Sequence, residues 1–343
     1  MTKQLAAVHT HRIAGFEELN EVVVGARREV VQIERGKMRG QLFHASIGGL
    51  PIDVVTFSLG VRSRGEPNKD RTTIGMLTAS TNRVTRASHE SRPGDILVTP
   101  PGGEHENRYY GGASVLVISL SSADIDSTFG TEARLGDPTA WCGNHFKGNA
   151  DRVQRIIPRL RSLVARLGER NLRLTVEAAE FWKQAVIEAM TANIVEGMPS
   201  ERDGPLPSAL RVVRQVEEYL NARGAGPVHI SQICGQLRVS RRTLHRAFHE
   251  SLGIGPIAFF RYRRLCSVHT ALRSAPPPDG TIADLAMQHG FLNVGRFAYY
   301  YHQLFGEYPS DTRLHKNGSS TIVSSASLLS AASASPVWLR DQR

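Results

Sequence analysis

An internal repeat between residues 230 and 309 constrains the fold of this 343-residue chain more than any other feature. Residues of the first copy recur 52 positions later in the pairs Ile230/Ile282, Ile233/Leu285, Cys234/Ala286 and Val239/Phe291, and then 53 positions later in the pairs Leu244/Phe297, Phe248/Tyr301, Gly253/Gly306 and Pro256/Pro309. A repeat of this length is one supersecondary unit used twice. In each copy the apolar residues fall at helical spacing on either side of a short break, which predicts a helix-turn-helix.

The first unit divides into a supporting helix, a two-residue turn and a second helix. The supporting helix is predicted over residues 230–237, and the second helix over residues 241–250. Ser240 is the predicted N-cap of the second helix, because a serine hydroxyl can accept a hydrogen bond from the free amides of a first turn. Leu244 and Phe248 stand at i and i+4 and face the core, so the opposite side of this helix is expected to be exposed.

That exposed side predicts contact with DNA. Arg242, His245 and Arg246 project from the early turns, which in a helix-turn-helix meet base edges in the major groove. A guanidinium can donate two hydrogen bonds to guanine O6 and N7, which discriminates between bases by about 1–3 kcal/mol. The predicted interface also contains Ser240, Arg241 and Thr243, the last two as phosphate contacts. A basic helix face that is merely solvated is the alternative; the capped turn and the repeat favour DNA.

The charge of the chain agrees with a polyanionic partner. Lysine and arginine number 42 against 32 aspartate and glutamate, which gives a net charge of +10. Between residues 238 and 264 the only acid is Glu250, whereas arginine stands at positions 238, 241, 242, 246, 261, 263 and 264. Guanidinium groups bind phosphate well. We therefore predict further phosphate contacts by Arg238, Arg261, Arg263 and Arg264.

A long helix is predicted to join the two units over residues 257–273, with Ile257, Phe260, Leu265, Val268 and Leu272 directed inward. Pro276, Pro277 and Pro278 end this helix, since proline lacks the amide that a helix needs. Thr281 and Asp284 have the spacing of a capping box and predict the start of the next helix.

The second unit keeps the scaffold of the first but changes its exposed surface. Arg242, His245 and Arg246 correspond to Gly295, Ala298 and Tyr299. Asn293, Arg296 and Tyr299 remain as its main polar groups and are the predicted DNA contacts. We hypothesise that the first unit carries most of the sequence discrimination, and that the second anchors the protein through phosphates or through apolar contact with thymine methyl groups.

The amino-terminal half reads as short β runs separated by glycine and proline, which indicates a sandwich or small barrel. The runs cover residues 41–45, 52–59, 72–77, 95–99 and 114–120. Residues 92–105 resemble the second sequence motif of cupin barrels. In a metal-binding cupin His105 would be a ligand beside a His-x-His pair, but His9 and His11 lie ahead of any predicted strand. We therefore expect His105 to be a turn or core residue and expect no bound metal. The barrel interior is expected to be able to hold a small molecule.

Two amphipathic helices are predicted after the barrel, over residues 153–167 and 174–195. They either cover the open side of the barrel or form a dimer interface, and the sequence leaves both possible. Residues 201–207 have the composition of a linker, and a new helix is predicted over residues 208–223. The Ser/Ala-rich residues 317–336 cannot bury enough apolar surface to fold, so a disordered tail is predicted.

The carboxyl-terminal motifs resemble those of the AraC/XylS family of bacterial transcriptional regulators. The resemblance spans about 105 residues. It rests on residues 240–248, the Arg264–Leu265 pair, residues 282–283 and 290–291, Phe297, Phe305–Gly306 and Pro309–Ser310. It implies two units on one rigid helix that read adjacent major-groove segments, and an amino-terminal cupin-like domain for effector binding and dimerisation. Gly295 and Tyr299 depart from the serine and arginine usual there. The first recognition helix is also similar to that of ethanolamine-operon-type regulators.

The sequence thus predicts an α+β chain of two domains, with a cupin-like domain at residues 1–203, an all-α DNA-binding domain at residues 204–316 and a tail at residues 317–343. The predicted function is a cytoplasmic, effector-responsive transcriptional regulator, and the family resemblance implies an activator. Its predicted partners are DNA, RNA polymerase and a second copy of the chain, with no cofactor. The alternatives are a cupin metalloenzyme with a DNA-binding appendage and a nonspecific nucleoid binder. No enzyme is expected, since neither a GxSxG nor a GxxxxGK[ST] motif occurs. The widely spaced Cys142, Cys234 and Cys266 predict reduced thiols.

Overall fold

The computed structural model describes residues 6–21, 27–86, 89–130, 144–167, 174–196, 201–202, 208–223, 228–274 and 280–315. Within these ranges the predicted fold class is confirmed, because a sheet-rich amino-terminal part precedes an all-helical part. The predicted tail, most of the linker, Cys142 and the three consecutive prolines lie outside the described residues. No helix in the described ranges is long and apolar enough to cross a membrane.

The barrel consists of two antiparallel sheets. The larger sheet has the order β1-β3-β4-β11-β6-β9-β12-β13, and the smaller has the order β2-β5-β10-β7-β8. The strands are β1 Ala6–Ile13, β2 Arg27–Gln32, β3 Gly40–Ile47, β4 Leu50–Phe57, β5 Val61–Glu66, β6 Thr72–Ser80, β7 Val84–Arg86, β8 His89–Ser91, β9 Ile96–Thr99, β10 His105–Tyr109, β11 Ala113–Leu120, β12 Asn144–Phe146 and β13 Glu201–Arg202. All five predicted runs form strands, with ends shifted by a few residues.

Alternation along the strands of the larger sheet separates two hydrophobic cores. On β11, Val115 and Val117 face the barrel interior, whereas Leu116 and Ile118 face outward. The outward residues pack against three helices, α1 Ser122–Phe129, α2 Ala150–Leu167 and α3 Val176–Glu196. The predicted helices α2 and α3 therefore cover the outer face of the larger sheet and not the open side of the barrel. The reason is that this sheet has apolar side chains on both faces, and each face needs a partner.

The placement of the His-x-His pair was wrong in the sequence prediction. His9 and His11 lie on β1, which pairs with β3 so that His9 stands opposite His44. Both β1 histidines are exposed, and the His11 ring lies 2.8 Å from the Glu18 carboxylate. In the part of the chain that the structure describes, no three His, Cys, Asp or Glu side chains are grouped so that they could hold a metal ion.

The carboxyl-terminal part consists of seven helices within the described residues, and the predicted repeat sets their bounds. They are α4 Ser208–Arg223, α5 Ile230–Leu237, α6 Arg241–Leu252, α7 Pro256–Arg273, α8 Ile282–Gln288, α9 Val294–Phe305 and α10 Pro309–His315. The helices α6 and α9 start and end 53 residues apart, and each is followed by a glycine C-cap with positive φ, Gly253 and Gly306. The long helix α7 joins the two units as predicted.

One part of the predicted inward face of α7 is wrong. Ile257 is exposed, and the neighbouring aromatic Phe259 is fully buried instead. Phe259 packs on Phe248 of α6 at 5.5 Å between ring centroids, and the buried residues that follow are Leu265, Val268 and Leu272. The inward stripe of α7 is therefore shifted around the helix near its amino end, where the chain enters from the Gly255–Pro256 turn.

The smaller sheet joins the barrel to the helical part. Its outer face carries Arg62 of β5, which is 1 % exposed and binds Glu217 of α4 and Glu106 of β10. The distance from Arg62 Nη2 to Glu217 Oε2 is 2.8 Å, and that to Glu106 Oε1 is 2.7 Å. Glu106 also accepts from Arg214 Nε at 2.9 Å. A single continuous hydrophobic cluster, which contains Val30 and Val213, spans both parts.

Candidate functional site: an exposed pair of recognition helices and a barrel cavity

Local backbone geometry sets the turn and the start of α6, the first recognition helix. Arg238 adopts a left-handed conformation with φ of 50°, which ends α5 and reverses the chain. Ser240 is extended and its Oγ accepts a hydrogen bond from the Thr243 amide at 3.0 Å, so the predicted N-cap is present. The Thr243 hydroxyl lies 2.9 Å from the same oxygen. The side chains of Ser240 and Thr243 are therefore already engaged in the cap that orients the helix.

The predicted base-reading side of α6 faces solvent. Arg241, Arg242, His245 and Arg246 are exposed, whereas the opposite face of the helix is buried. The Arg246 side chain is 70 % exposed, and its Nε lies 3.8 Å from a carboxylate oxygen of Glu250 one turn later. An exposed pair at this distance is weak, so the guanidinium can exchange it for another acceptor.

The second recognition helix, α9, is capped in the same way but has a different surface. Asn293 is its N-cap, and the Asn293 Oδ1 accepts from the Arg296 amide at 2.9 Å. Arg296 and Tyr299 are exposed, as predicted for DNA contacts. The sequence analysis did not single out Leu292 and Val294, which are exposed apolar residues beside this cap. The one-residue insertion in the second unit, which is Leu292, and the alignment of Val294 with Arg241 could have identified them.

The four arginines predicted to bind phosphate have different surroundings. Arg238 is exposed at the turn, and the Arg261 guanidinium stacks 3.9 Å from the centroid of the Tyr300 ring. Arg263 binds Glu29 of the barrel and Asn221, so it joins the two parts of the chain. Arg264 donates to the Gly290 carbonyl at 2.9 Å. Phosphate contact by these residues stays a prediction, and Arg263 and Arg264 would have to give up bonds within the protein to make it.

A cleft of about 560 Å³ lies beside α6 in the helical part. Arg241 and His245 line it from α6, and Phe260 and Arg264 line it from α7. His289, which no sequence motif identified, also lines this cleft. Burial lowers the pKa of His289 below its usual value, so its ring is neutral at neutral pH.

The barrel interior contains a cavity of about 110 Å³ between its two sheets. The larger sheet contributes an apolar wall that includes Val55, Leu77 and Val117, and the smaller sheet contributes polar groups that include Arg28 and His105. A few convergent polar groups on an apolar lining are typical of small-molecule sites. Strand alternation puts these residues inside, and the sequence analysis could not assign them because a shift of one residue would have exchanged the two faces.

The polar groups of the cavity include buried atoms without a hydrogen-bond partner in the described part of the chain, namely Arg28 Nε and His105 Nδ1. Arg28 Nη2 donates to the Leu19 carbonyl at 2.8 Å, and burial lowers the pKa of Arg28 to about 10, so it stays charged. His105 lies 3.0 Å from Ser63 Oγ, and burial, with Arg28 and Arg86 nearby, lowers its pKa to about 3. His105 is therefore a neutral donor or acceptor in the cavity.

Comparison with known proteins agrees with this arrangement. The carboxyl-terminal part is a DNA-binding module of the helix-turn-helix class, and residues 233–315 match the family model described as a helix-turn-helix domain. The chain is 31% identical over 137 residues to the XylDLEGF operon transcriptional activator 2 of Pseudomonas putida, covering 38% of this chain and 80% of that protein. It therefore belongs to the AraC/XylS family of transcriptional regulators, as its motifs predicted.

Similarity extends beyond the DNA-binding module. The chain is 25% identical over 310 residues to the XylDLEGF operon transcriptional activator 1 of Pseudomonas putida, which covers 89% of this chain and 93% of that protein. Among solved structures, the AraC-like transcriptional activator CuxR matches with a TM-score of 0.42 and 15% identity, over 76% of this chain and 94% of that one. A probable AraC family regulator from Rhodopseudomonas palustris is 36% identical over 31% of this chain and 97% of that one, with a TM-score of 0.29.

Proposed function

We propose that this regulator activates transcription by binding a specific promoter sequence, in the cytoplasm, in response to a small molecule held in its barrel. The observation that carries the DNA-binding proposal is the capped helix α6, whose exposed face presents Arg242, His245 and Arg246 together. These three side chains have few partners within the protein, so they can bind bases without losing hydrogen bonds within it. The proposal of activation is supported by the XylDLEGF relatives, which are activators by name.

The proposed DNA-binding residues divide into those that contact base edges and those that contact the DNA backbone. In the first unit Arg242, His245 and Arg246 would contact bases, and Arg241 and Arg238 would contact phosphates. Ser240 and Thr243 would contribute at the helix start, where amides and capping hydroxyls approach the backbone. In the second unit the polar contacts would come from Asn293, Arg296 and Tyr299.

Selection of binding sites from random DNA tests this proposal. We expect the full-length protein to enrich one sequence with two half-sites about one helical turn apart, because α6 and α9 lie on one scaffold. Its affinity for that sequence should exceed its affinity for unselected DNA by at least about 10³-fold at equal salt. A nonspecific nucleoid binder, which needs only the charge, would enrich no sequence and would show equal affinities.

The effector proposal concerns the cavity between the sheets, and Gly75 offers a direct test of it. Gly75 lines the cavity, and a Cβ added there meets nothing within 4 Å. The series Gly75→Ala, Gly75→Val and Gly75→Leu should fill the cavity progressively with little strain. A compound that raises the melting temperature of the wild type should lose this effect in the same order. Retention of the full shift by Gly75→Leu would place the effector elsewhere.

Two further partners are proposed. RNA polymerase would be recruited by an activator, which transcription in vitro with purified polymerase tests. A second copy of the chain would pack on the outer helical layer, where Val176 and Phe181 of α3 are each 66 % exposed. Sedimentation velocity of the wild type and of Phe181→Glu tests this second copy.

The cupin metalloenzyme has no comparable support, since the described residues hold no metal-ligand group and the relatives named above are regulators.

A further inference from the structure

We infer that the second recognition helix selects its half-site through the C5-methyl groups of thymine, which Leu292 and Val294 contact. The first unit would then select by hydrogen bonds to purine edges, and the second by apolar contact. This inference rests on the proposed function, because it assumes that both units face DNA. It commits to thymine, which is the one base that carries a methyl group in the major groove.

The repeat places Leu292 and Val294 at the DNA-facing end of the second unit. The N-caps Ser240 and Asn293 are 53 residues apart, and so are the starts of α6 and α9. With this register Val294 occupies the position of Arg241. Leu292 is the one residue inserted between Phe291, the counterpart of Val239, and the N-cap Asn293. The two apolar residues therefore stand where the first unit begins its approach to the major groove.

The exposure of these residues indicates a missing partner. Leu292 is 91 % exposed, the highest value for a large apolar residue in the described part of the chain, and Val294 is 41 % exposed. Val239, the residue before the N-cap in the first unit, is half-buried. Single exposed apolar residues are common and need no explanation by themselves. Here the two lie on either side of the N-cap Asn293 of a recognition helix, and Val294 stands where the first unit has Arg241.

The same surface has few hydrogen-bonding groups that could read bases. The Asn293 Oδ1 is occupied by the helix cap, and Gly295 and Ala298 stand where the first unit has Arg242 and His245. A Cβ on Gly295 would meet only Asn293 Oδ1, at 3.6 Å. The space above the first turn is therefore open, and a base-pair edge can approach the backbone closely. Arg296 aligns with Thr243 at the flank of the helix, a position suited to phosphate contact.

Substitution of deoxyuridine for thymine tests the inference, because it removes the methyl group and keeps the base pair. In the half-site under α9, each substitution at a contacted position should weaken binding by the wild type about fourfold, the value for one buried methyl-sized group. The double variant Leu292→Ala/Val294→Ala should bind thymine and deoxyuridine sites equally. Its melting temperature should match that of the wild type, since both side chains are exposed.

Two controls complete the design. Met287→Ala removes another exposed apolar side chain, from α8, and should keep the full deoxyuridine effect. In the half-site under α6, 7-deazaguanine removes the N7 acceptor, and it should weaken binding regardless of the residues at 292 and 294. These controls separate loss of a specific contact from a general loss of apolar surface.

The outcomes distinguish the inference from the proposed function. If 7-deazaguanine weakens binding but deoxyuridine does not, the inference is overturned and sequence-specific DNA binding stands. The inference is also overturned if deoxyuridine weakens the wild type and the double variant equally, because another group then reads the methyl. If the double variant loses activation but keeps the full deoxyuridine effect, Leu292 and Val294 serve a protein partner. If no selected sequence exists, the proposed function itself fails.

Discussion

Glu217→Ala is expected to lower the free energy of unfolding by about 3–5 kcal/mol, because it removes one partner of a buried ion pair. Arg62 and Glu217 are each 1 % exposed, and the barrel strand β5 meets α4 at this pair. Although burial disfavours the charge of Arg62, the carboxylates of Glu217 and Glu106 raise its pKa above the usual value. The guanidinium would therefore remain charged in the variant and would keep only Glu106 as a strong partner.

Urea denaturation of the full chain measures this loss, and the neighbouring residue supplies a matched control. Glu218 lies on the same helix with a side chain 65 % exposed, 3.5 Å from Arg64. Glu218→Ala should cost at most about 1 kcal/mol. The double variant Arg62→Met/Glu217→Leu should be more stable than Glu217→Ala, since it leaves no unpaired arginine and Glu106 keeps Arg214. Equal stability of the two single variants would show that this network contributes little.

Arg242→Ala and Arg246→Ala are each expected to weaken binding to the selected sequence by about 5- to 150-fold, which corresponds to the loss of a bidentate base contact. Both side chains are exposed, so the melting temperature should not change. Binding to random DNA should fall much less than binding to the selected sequence, because base contacts add nothing there. Fluorescence anisotropy with both DNAs at equal salt measures the two affinities.

Two other arginine variants serve as controls for the Arg242→Ala and Arg246→Ala measurements. Arg12→Ala removes the same charge from an exposed position on β1 and should leave the specificity unchanged. Arg296→Ala should weaken binding about equally on all sequences. It should also reduce the slope of log affinity against log salt concentration by about 1, the value for one lost phosphate contact. If Arg296→Ala abolished specificity while Arg242→Ala and Arg246→Ala retained it, the assignment of base reading to the first unit would be wrong.

Local signals explain why the helical part could be predicted from sequence. The caps at Ser240 and Thr281 depend on residues within three positions of each other, and both are present. The repeat then supplied the order of the two units without any knowledge of tertiary contacts. The surface of α6 followed from helical periodicity, because its buried residues Leu244 and Phe248 define the exposed side.

The smaller sheet could not be predicted for a physical reason. Strands β5 and β10 carry Arg62, Arg64, Glu106 and Arg108 among their residues, so the alternation of apolar and polar residues that marks a strand is absent. Arg62 pairs with Glu106 and with Glu217 of α4, and the half-buried Arg64 also pairs with Glu217. Arg108 instead stacks 4.1 Å from the centroid of the Tyr110 ring. The partner Glu217 is 155 residues from Arg62 along the chain, a separation that no local pattern reveals. Ile257 was misplaced for a related reason, since packing on Phe248 favoured Phe259.

The two faces of strand β5 contact different parts of the molecule. Along β5, Val61 and Ser63 border the cavity, while Arg62 and Arg64 hold the α4 helix. A substitution scan along this strand should therefore yield two interleaved phenotypes, with altered inducer preference at odd positions and heat-sensitive protein at even ones. Under the proposed function, a new inducer response could arise along β5 only at the residues that border the cavity, because Arg62 and Arg64 between them hold α4 against the barrel.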